Sequence, residues 1–168
     1  ASLIGRAPTP DVAVLKVQAS DLSPLRRADA DTARVGQLVL ALGRPGSAPA
    51  ATLGVVSALG GPWRTHAGGS LDHYLQTDAV MYPGFSGGPL VDASGRALGI
   101  NTSALLRGIA ITISSSSLER IVGALLSHGR IKRGYLGIGT QPARLPERLH
   151  EEVGQETGLL VVSVEPDS

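Results

Sequence analysis

The sequence predicts an all-β domain built around a closed or nearly closed barrel. Glycine and proline are frequent, with 22 and 11 residues among 168, and aromatic residues make up only 3%. These residues separate short apolar runs rich in Val, Ile and Leu, which is the pattern of short strands joined by tight turns. We predict strands at residues 12–17, 38–42, 53–59, 74–77, 89–91, 97–100 and 109–113.

Two segments next to these strands carry recognisable signals for a turn and for a helix. The segment 92–95, Asp-Ala-Ser-Gly, predicts a hairpin turn between two of the strands. After the last strand, Ser116 and Glu119 have the spacing of a helix capping box. Apolar residues then recur at helical spacing up to Leu126, and Gly129 stands where a left-handed residue would end the helix.

A second β pattern opens at residues 134–138 and continues at 159–164. We place a boundary near residues 131–133, because the helix ends there and the pattern starts anew. Only a few tens of residues follow, which is too little for a complete core.

Composition excludes several classes of function. With 15 basic and 14 acidic side chains the formal net charge is +1, so no electrostatic argument favours nucleic acid. The absence of cysteine excludes disulfides, thiolate zinc sites and a cysteine nucleophile. No apolar run approaches the ~18 residues of a membrane helix.

The most informative segment is Gly-Phe-Ser-Gly-Gly-Pro at residues 84–89. A nucleophilic serine needs its hydroxyl exposed on a tight turn, with backbone N–H groups aimed at the developing oxyanion. Gly84 would permit the unusual backbone angles of such a turn. Alone, the segment is equally compatible with an ordinary Gly-Ser turn.

The segment closely resembles the nucleophile segment of chymotrypsin-like serine proteases, specifically the HtrA/Deg branch. Further strings resemble that branch in order, at residues 11–17 (DVAVLKV), 35–45 (VGQLVLALGRP), 54–58 (GVVSA) and 98–102 (LGINT). The resemblance implies the end of a first protease barrel at residues 1–30 and a second, six-stranded barrel with its C-terminal helix at residues 31–133. Residues 134–168 would be the N-terminal part of a PDZ domain, with an insertion or short helix at residues 145–153.

The resemblance also implies a set of site residues. Asp11 and Ser86 would be catalytic, and the oxyanion hole would lie at Gly84, Phe85 and Ser86, with the Gly84 and Ser86 amides as donors. Phe85 departs from the Asn usual in the family. The substrate side chain would contact Val80, Met81, Ile109, Ala110 and Ile111. The PDZ loop that holds a peptide carboxylate would be Tyr135, Leu136, Gly137 and Ile138.

Histidine is the most serious departure. The family's general base lies upstream of the triad Asp, and no histidine precedes Asp11. The four histidines of the chain are His66, His73, His128 and His150. His66 and His73 lack paired metal-ligand spacing and a third ligand, and a base in the order Asp, His, Ser would need a different fold. Asp78, near the nucleophile, is expected to hydrogen-bond structurally.

We therefore expect an HtrA-like serine endopeptidase that cleaves unfolded or misfolded polypeptides, with a PDZ module for C-terminal or hydrophobic peptides. The base would come from upstream, so the chain alone is expected to be inactive. The alternative is a non-catalytic, chaperone-like or peptide-binding relative. No cofactor, metal or nucleic-acid partner is expected. Family members are typically extracytoplasmic, in the periplasm or cell envelope, and typically homotrimers.

Overall fold

The computed structural model describes residues 1–29, 32–64, 70–106, 109–131 and 136–165. The chain divides into two compact units, Ala1–Ile131 and Lys132–Ser168. The first unit contains β1 (Ser2–Ala7), β2 (Val12–Lys16), β3 (Leu38–Gly43), β4 (Ala50–Gly60), β5 (Trp63–Arg64), β6 (Ser70–Leu71), β7 (Tyr74–Thr77), β8 (Pro89–Asp92), β9 (Ala97–Thr102), β10 (Ile111–Ser114) and α1 (Ser115–His128). The second contains β11 (Ile138–Arg144), α2 (Glu147–Val153) and β12 (Thr157–Val164).

Six strands of the first unit close into an antiparallel barrel in the order β10-β7-β4-β3-β8-β9. The predicted all-β barrel is thereby confirmed. Its interior is filled by side chains that alternate inward along the strands. The largest fully buried side chains of this interior cluster are Val39, Val56, Leu75, Phe85, Leu90 and Leu98.

The N-cap of α1 lies two residues before the Ser116 cap that the sequence predicts. This N-cap is Ser114, whose side chain accepts a hydrogen bond from the Ser117 amide. The prediction of Ser116 as the cap is wrong. Any serine of the Ser114–Ser117 run could cap the helix. Ser114 does so because β10 remains paired with β9 up to Ser114. Glu119 pairs instead with Arg27. Gly129 ends the helix as predicted, at φ 68°.

The strands β1 and β2 form a separate two-stranded sheet beside the barrel. A two-stranded sheet is marginal by itself and needs an apolar partner. Here Ala7 and Val14 belong to the same apolar cluster as Ile121 and Leu125 of α1. The close approach is permitted by Gly5, where a Cβ atom would lie 2.6 Å from the Gly129 carbonyl oxygen. The helix thereby fixes the hairpin that carries Asp11.

In the second unit, β11 and β12 pair antiparallel, with α2 in the connection between them. The predicted strand at 159–164 lies within β12, and the expected short helix at 145–153 contains α2. Apolar side chains of β12 remain exposed, with Leu159 at 69% and Val164 at 67%. Among the helices of the described residues, neither is long and apolar enough to cross a membrane.

Candidate active site

Ser86 lies in the connection between β7 and β8, on two successive tight turns. The Phe85 amide donates to the Tyr82 carbonyl at 3.1 Å, and the Gly88 amide donates to the Phe85 carbonyl at 3.0 Å. Gly84 has φ 91°, and a Cβ atom there would lie 2.6 Å from Pro45 Cα. The sequence therefore needs glycine at this position for both its backbone angle and its close packing.

This connection is fixed to the barrel on both sides of Ser86. On one side the Phe85 ring is 1% exposed and lies in the barrel core. On the other side the Gly87 amide donates to the Asn101 carbonyl at 2.9 Å, and the Asn101 amide donates to the Gly88 carbonyl at 2.8 Å. Ser86 itself is exposed. The result is an accessible hydroxyl on a firmly held backbone, which nucleophilic catalysis requires.

The proposed oxyanion donors differ in their present hydrogen bonding. The Phe85 amide is already bonded to Tyr82, so Phe85 contributes its buried ring and not a donor. Within the described part of the chain, neither the Gly84 amide nor the Ser86 amide donates to a protein acceptor. These two amides therefore remain available to a substrate oxygen.

Asp11 occupies the turn between β1 and β2. Its φ is 56°, in the left-handed region that Asp tolerates better than most residues, and its amide donates to the Pro8 carbonyl at 3.2 Å. Its carboxylate oxygen Oδ2 accepts a hydrogen bond from Thr102 Oγ1 at 2.6 Å. The same Thr102 oxygen accepts from the Ala104 amide at 3.1 Å. The end of β9 therefore fixes the orientation of the carboxylate.

Ser86 is held by the residue that follows Thr102. Ser86 Oγ lies 3.0 Å from Ser103 Oγ and accepts the Ser103 N–H at 3.2 Å. The structure thus brings Asp11 and Ser86 to two consecutive residues at the end of β9. Sequence reasoning assigned no role to Thr102 or Ser103. The available signal was the family-matched string at residues 98–102, which ends at Thr102 and is followed directly by Ser103.

A cleft of about 390 Å³ opens beside this site. Its walls include Val80, Met81, Ile109 and Ala110, and also Ser103. Of the five residues that the sequence assigns to the substrate side chain, these first four line the cleft. The fifth, Ile111, is fully buried within the barrel and does not line it.

Asp78 contributes the carboxylate of this cleft. Its Oδ1 atom accepts the Val55 amide at 2.7 Å, which is the kind of structural hydrogen bond expected from the sequence. The neighbouring wall is fixed by Thr52, whose hydroxyl donates to the Val80 carbonyl at 2.7 Å. The cleft is therefore lined by both apolar and polar residues, and its one carboxylate is tied to β4.

The described histidines form no hydrogen bond with Asp11 or Ser86. The backbone of His73 is bonded to Ser114 and Ser117 at the start of α1, and His128 lies in the last turn of that helix. His150 belongs to α2 in the second unit, and His66 lies outside the described residues. Among the described residues, no group of His, Cys, Asp and Glu could hold a metal ion.

A buried carboxylate with a shifted pKa lies away from the site, in the turn between β8 and β9. Burial raises the pKa of Asp92, but hydrogen bonds from the Arg96 backbone and side chain and from the Ser94 amide outweigh it. The pKa of Asp92 therefore lies below its ordinary value. This carboxylate fixes the predicted hairpin turn, in which Gly95 has φ 74°.

Three of the four residues of the expected PDZ loop are described, and Tyr135 lies outside the described residues. Leu136 is 78% exposed, while Gly137 has φ 62° and accepts the Glu165 amide at 2.7 Å. Ile138 opens β11 and is half-exposed. The second unit thus presents an exposed leucine beside a left-handed glycine at the start of a strand.

Comparison with known proteins gives concordant matches. A family model described as a trypsin-like peptidase domain matches residues 1–100. A protein of Brucella suis biovar 1 (strain 1330), named "Probable periplasmic serine endoprotease DegP-like", is 36% identical over 179 residues, which cover 99% of this chain and 34% of that protein. A protein of the same name from Pseudomonas fulva (strain 12-X) is 37% identical over 175 residues, covering 99% and 36%. The chain spans about a third of the length of these relatives.

Solved structures agree with these matches. The structure of the HtrA-type protease AlgW with a decapeptide has a TM-score of 0.75 and 33% identity, and the match covers 99% of this chain and 53% of that one. The structure of the serine endoprotease from Yersinia pestis has a TM-score of 0.71 and 31% identity, with coverage of 99% and 53%.

Proposed function

The chain belongs to the HtrA branch of the trypsin-like peptidase family, and we propose that the full-length protein is a serine endopeptidase acting on unfolded or misfolded polypeptides. The observation that carries the proposal is the convergence of Asp11 and Ser86 on the consecutive residues Thr102 and Ser103. A histidine ring supplied from upstream would stand between the carboxylate and the hydroxyl. The relatives named periplasmic support an extracytoplasmic location.

The proposed reaction uses Ser86, Asp11, the two backbone amides and a base supplied from upstream. The base takes the Ser86 proton while Oγ attacks the scissile carbonyl carbon, and the carbonyl oxygen becomes an anion bound by the Gly84 and Ser86 amides. The base then protonates the leaving amine as the C–N bond breaks, which leaves an ester on Ser86. Water attacks that ester with the same base accepting its proton, and Ser86 regains its own. Asp11 would hold the base in the required tautomer.

An apolar groove of about 570 Å³ lies on the first unit. Its walls include Leu25, Pro89, Ile100, Leu118 and Leu126. Leu25 and Leu126 are respectively 47% and 61% exposed, and exposed apolar surface of this kind marks an interaction site. The groove also includes Gly87, directly after the nucleophile. We propose that the upstream segment carrying the base covers this groove.

The second unit is proposed to be part of a PDZ module that binds C-terminal or hydrophobic peptides, with the loop at Leu136 and Gly137 receiving the peptide carboxylate. The similar AlgW structure is that of a protease with a decapeptide, which supports polypeptide ligands here. A homotrimer of the full-length protein is proposed on the family resemblance alone.

The test is covalent labelling of the full-length protein, meaning the gene product that includes the residues upstream of Ala1. A fluorophosphonate should label Ser86, and Ser86→Ala should abolish labelling and lower casein turnover by several orders of magnitude, because triad members act as a unit. Equal casein degradation by Ser86→Ala would refute the assignment.

A non-catalytic, peptide-binding relative is the second candidate. It is favoured by the described histidines, none of which hydrogen-bonds to Asp11 or Ser86. The residues before Ala1 decide between the two: a histidine-bearing strand upstream supports the peptidase, and its absence supports the binding protein.

A further inference from the structure

Ser103 contacts the nucleophile through two separate groups. Its hydroxyl lies 3.0 Å from Ser86 Oγ, and its backbone N–H donates to the same atom at 3.2 Å. Both side chains are exposed, so neither contact is forced by burial. The matched family strings end at Thr102, so nothing in the resemblance assigns Ser103 a role.

The bonding capacity of one hydroxyl makes these contacts significant. A serine hydroxyl has one proton to donate and two lone pairs to accept with. Attack on a carbonyl needs one lone pair free for the carbon and the proton free for the base. The Ser103 N–H already uses one of the two lone pairs.

The Ser103 hydroxyl can bond to Ser86 in two ways, and each blocks attack. If Ser103 donates, both lone pairs of Ser86 Oγ are occupied and none can reach the carbonyl carbon. If Ser103 accepts, the Ser86 proton points to Ser103 and not to the base. In the first case one of the two bonds from Ser103 must break, and in the second the hydroxyl–hydroxyl bond must break, before Ser86 can react.

We propose that Ser103 is a positioning residue that holds Ser86 in an unreactive orientation until a substrate side chain enters the adjacent cleft. Ser103 lines that cleft together with Val80, Met81 and Ile109. A substrate side chain filling the cleft would therefore displace the hydroxyl that restrains the nucleophile. The inference rests on the proposed role of Ser86 as the nucleophile. It adds that a substrate side chain in the cleft releases Ser86 from Ser103.

The test uses the full-length protein and a peptide diphenyl phosphonate with valine at the reacting position. Because the phosphonate must break the Ser103 contact when it binds, Ser103→Ala should lower its inhibition constant KI. The expected decrease is roughly threefold to fivefold, the effect of one net hydrogen bond. The first-order rate constant for the reaction of the bound phosphonate with Ser86 should not change. A small ethyl fluorophosphonate should label Ser103→Ala faster by the same factor.

Two variants control for nonspecific effects. Ser103→Thr keeps a hydroxyl at this position and should retain the original KI. Ser94→Ala makes the same chemical change in the β8–β9 turn, where only the Ser94 backbone is bonded to Asp92, and should leave all constants unchanged. If Ser103 only stabilised the local structure, Ser103→Ala would instead raise KI or slow the reaction of the bound phosphonate with Ser86.

The outcomes separate this inference from the proposed function. An unchanged or increased KI in Ser103→Ala, with Ser86 still labelled, overturns the role of Ser103 and leaves the peptidase assignment intact. If Ser86 of the unaltered protein is never labelled, the proposed function fails and this inference fails with it.

Discussion

Thr102 Oγ1 donates a hydrogen bond of 2.6 Å to Asp11 Oδ2, and this bond joins the β1–β2 hairpin to the end of β9. Asp11 stands on a two-stranded sheet outside the barrel, whereas Ser86 stands on the barrel itself. Because Thr102 is 1% exposed, its side chain has little freedom to reorient. The orientation of the Asp11 carboxylate relative to the end of β9 therefore depends in part on a single buried hydroxyl.

Thr102→Val removes that hydroxyl and keeps the side-chain shape. We expect the turnover number of the full-length protein to fall about tenfold with little change in KM, because a lost hydrogen bond to a carboxylate costs on the order of 1.4 kcal/mol. Peptide hydrolysis kinetics provide the measurement. Thr140→Val makes the same change at an exposed site on β11 and should have no effect. Unchanged turnover in Thr102→Val would mean that Asp11 is oriented by other groups.

Gly84→Ala should disrupt the nucleophile turn. Alanine at φ 91° is strained, and its Cβ would lie 2.6 Å from Pro45 Cα, so we expect a loss of about 1–3 kcal/mol in the free energy of unfolding. Urea denaturation measures this loss, and fluorophosphonate labelling should fall with it. Gly46→Ala is the matched control, because a Cβ there meets nothing within 4 Å. Equal destabilisation by both substitutions would contradict the argument.

Cleavage should occur after small to medium aliphatic residues such as Ala, Val or Leu. The cleft walls formed by Val80, Met81 and Ile109 are apolar, and Asp78 already accepts the Val55 amide. Mass-spectrometric mapping of cleavage sites in unfolded casein is the measurement. A predominance of Lys or Arg before the cleaved bond would show that the other carboxylate oxygen of Asp78 dominates instead.

Enlarging the cleft should alter that preference. Met81→Ala removes a half-buried wall residue, so the ratio of cleavage after Leu to cleavage after Val should rise several-fold, as expected for one to three methylene groups. Leu53→Ala truncates a side chain that is 68% exposed on β4 and should leave the ratio unchanged. An identical ratio in Met81→Ala would remove Met81 from the specificity wall.

Asp92 should contribute stability that disappears in acid. Its pKa in the folded protein lies below its ordinary value of 3.8, so the folded state favours the charged form. The contribution is present above that ordinary value and is lost as the pH falls through the lower, folded-state pKa. Urea unfolding at pH 6 should therefore show Asp92→Asn less stable than the unaltered protein, and the difference should shrink below pH 3.8. A difference independent of pH would contradict this linkage.

The sequence predicted the barrel because its apolar runs are short and clearly separated, and its resemblance to the HtrA/Deg branch nominated Asp11 and Ser86 as catalytic, which stays a prediction. It placed Ile111 in the cleft, yet that side chain lies in the barrel core, because the strand β10 begins two residues later than the apolar run. The residues that contact each other across the barrel depend on the register of its strands. That register cannot be predicted from a single sequence.

Other features had no local signal specific enough to predict them. The strand β1 was not predicted, because residues 2–7 contain both Gly5 and Arg6 and lack a regular alternation. The roles of Thr102 and Ser103 arise only from tertiary contacts with residues far away in the sequence. Hydroxyl side chains after a strand are common, so their spacing alone predicts nothing.

The chain of residues 1–168, taken by itself, should show no measurable peptidase activity. Ser86 Oγ is bonded to Ser103, and no described histidine is bonded to Ser86 or Asp11, so within the described residues nothing is placed to accept its proton. An oxyanion hole alone leaves residual catalysis of about 10³–10⁴ over water, which is invisible against the slow uncatalysed hydrolysis of peptides. Purified residues 1–168 should therefore neither cleave casein nor react with a fluorophosphonate.

His66 lies outside the described residues, so His66→Ala is the informative companion variant. Labelling of Ser86 that disappears in His66→Ala would place the base within this chain and overturn the proposal that it comes from upstream.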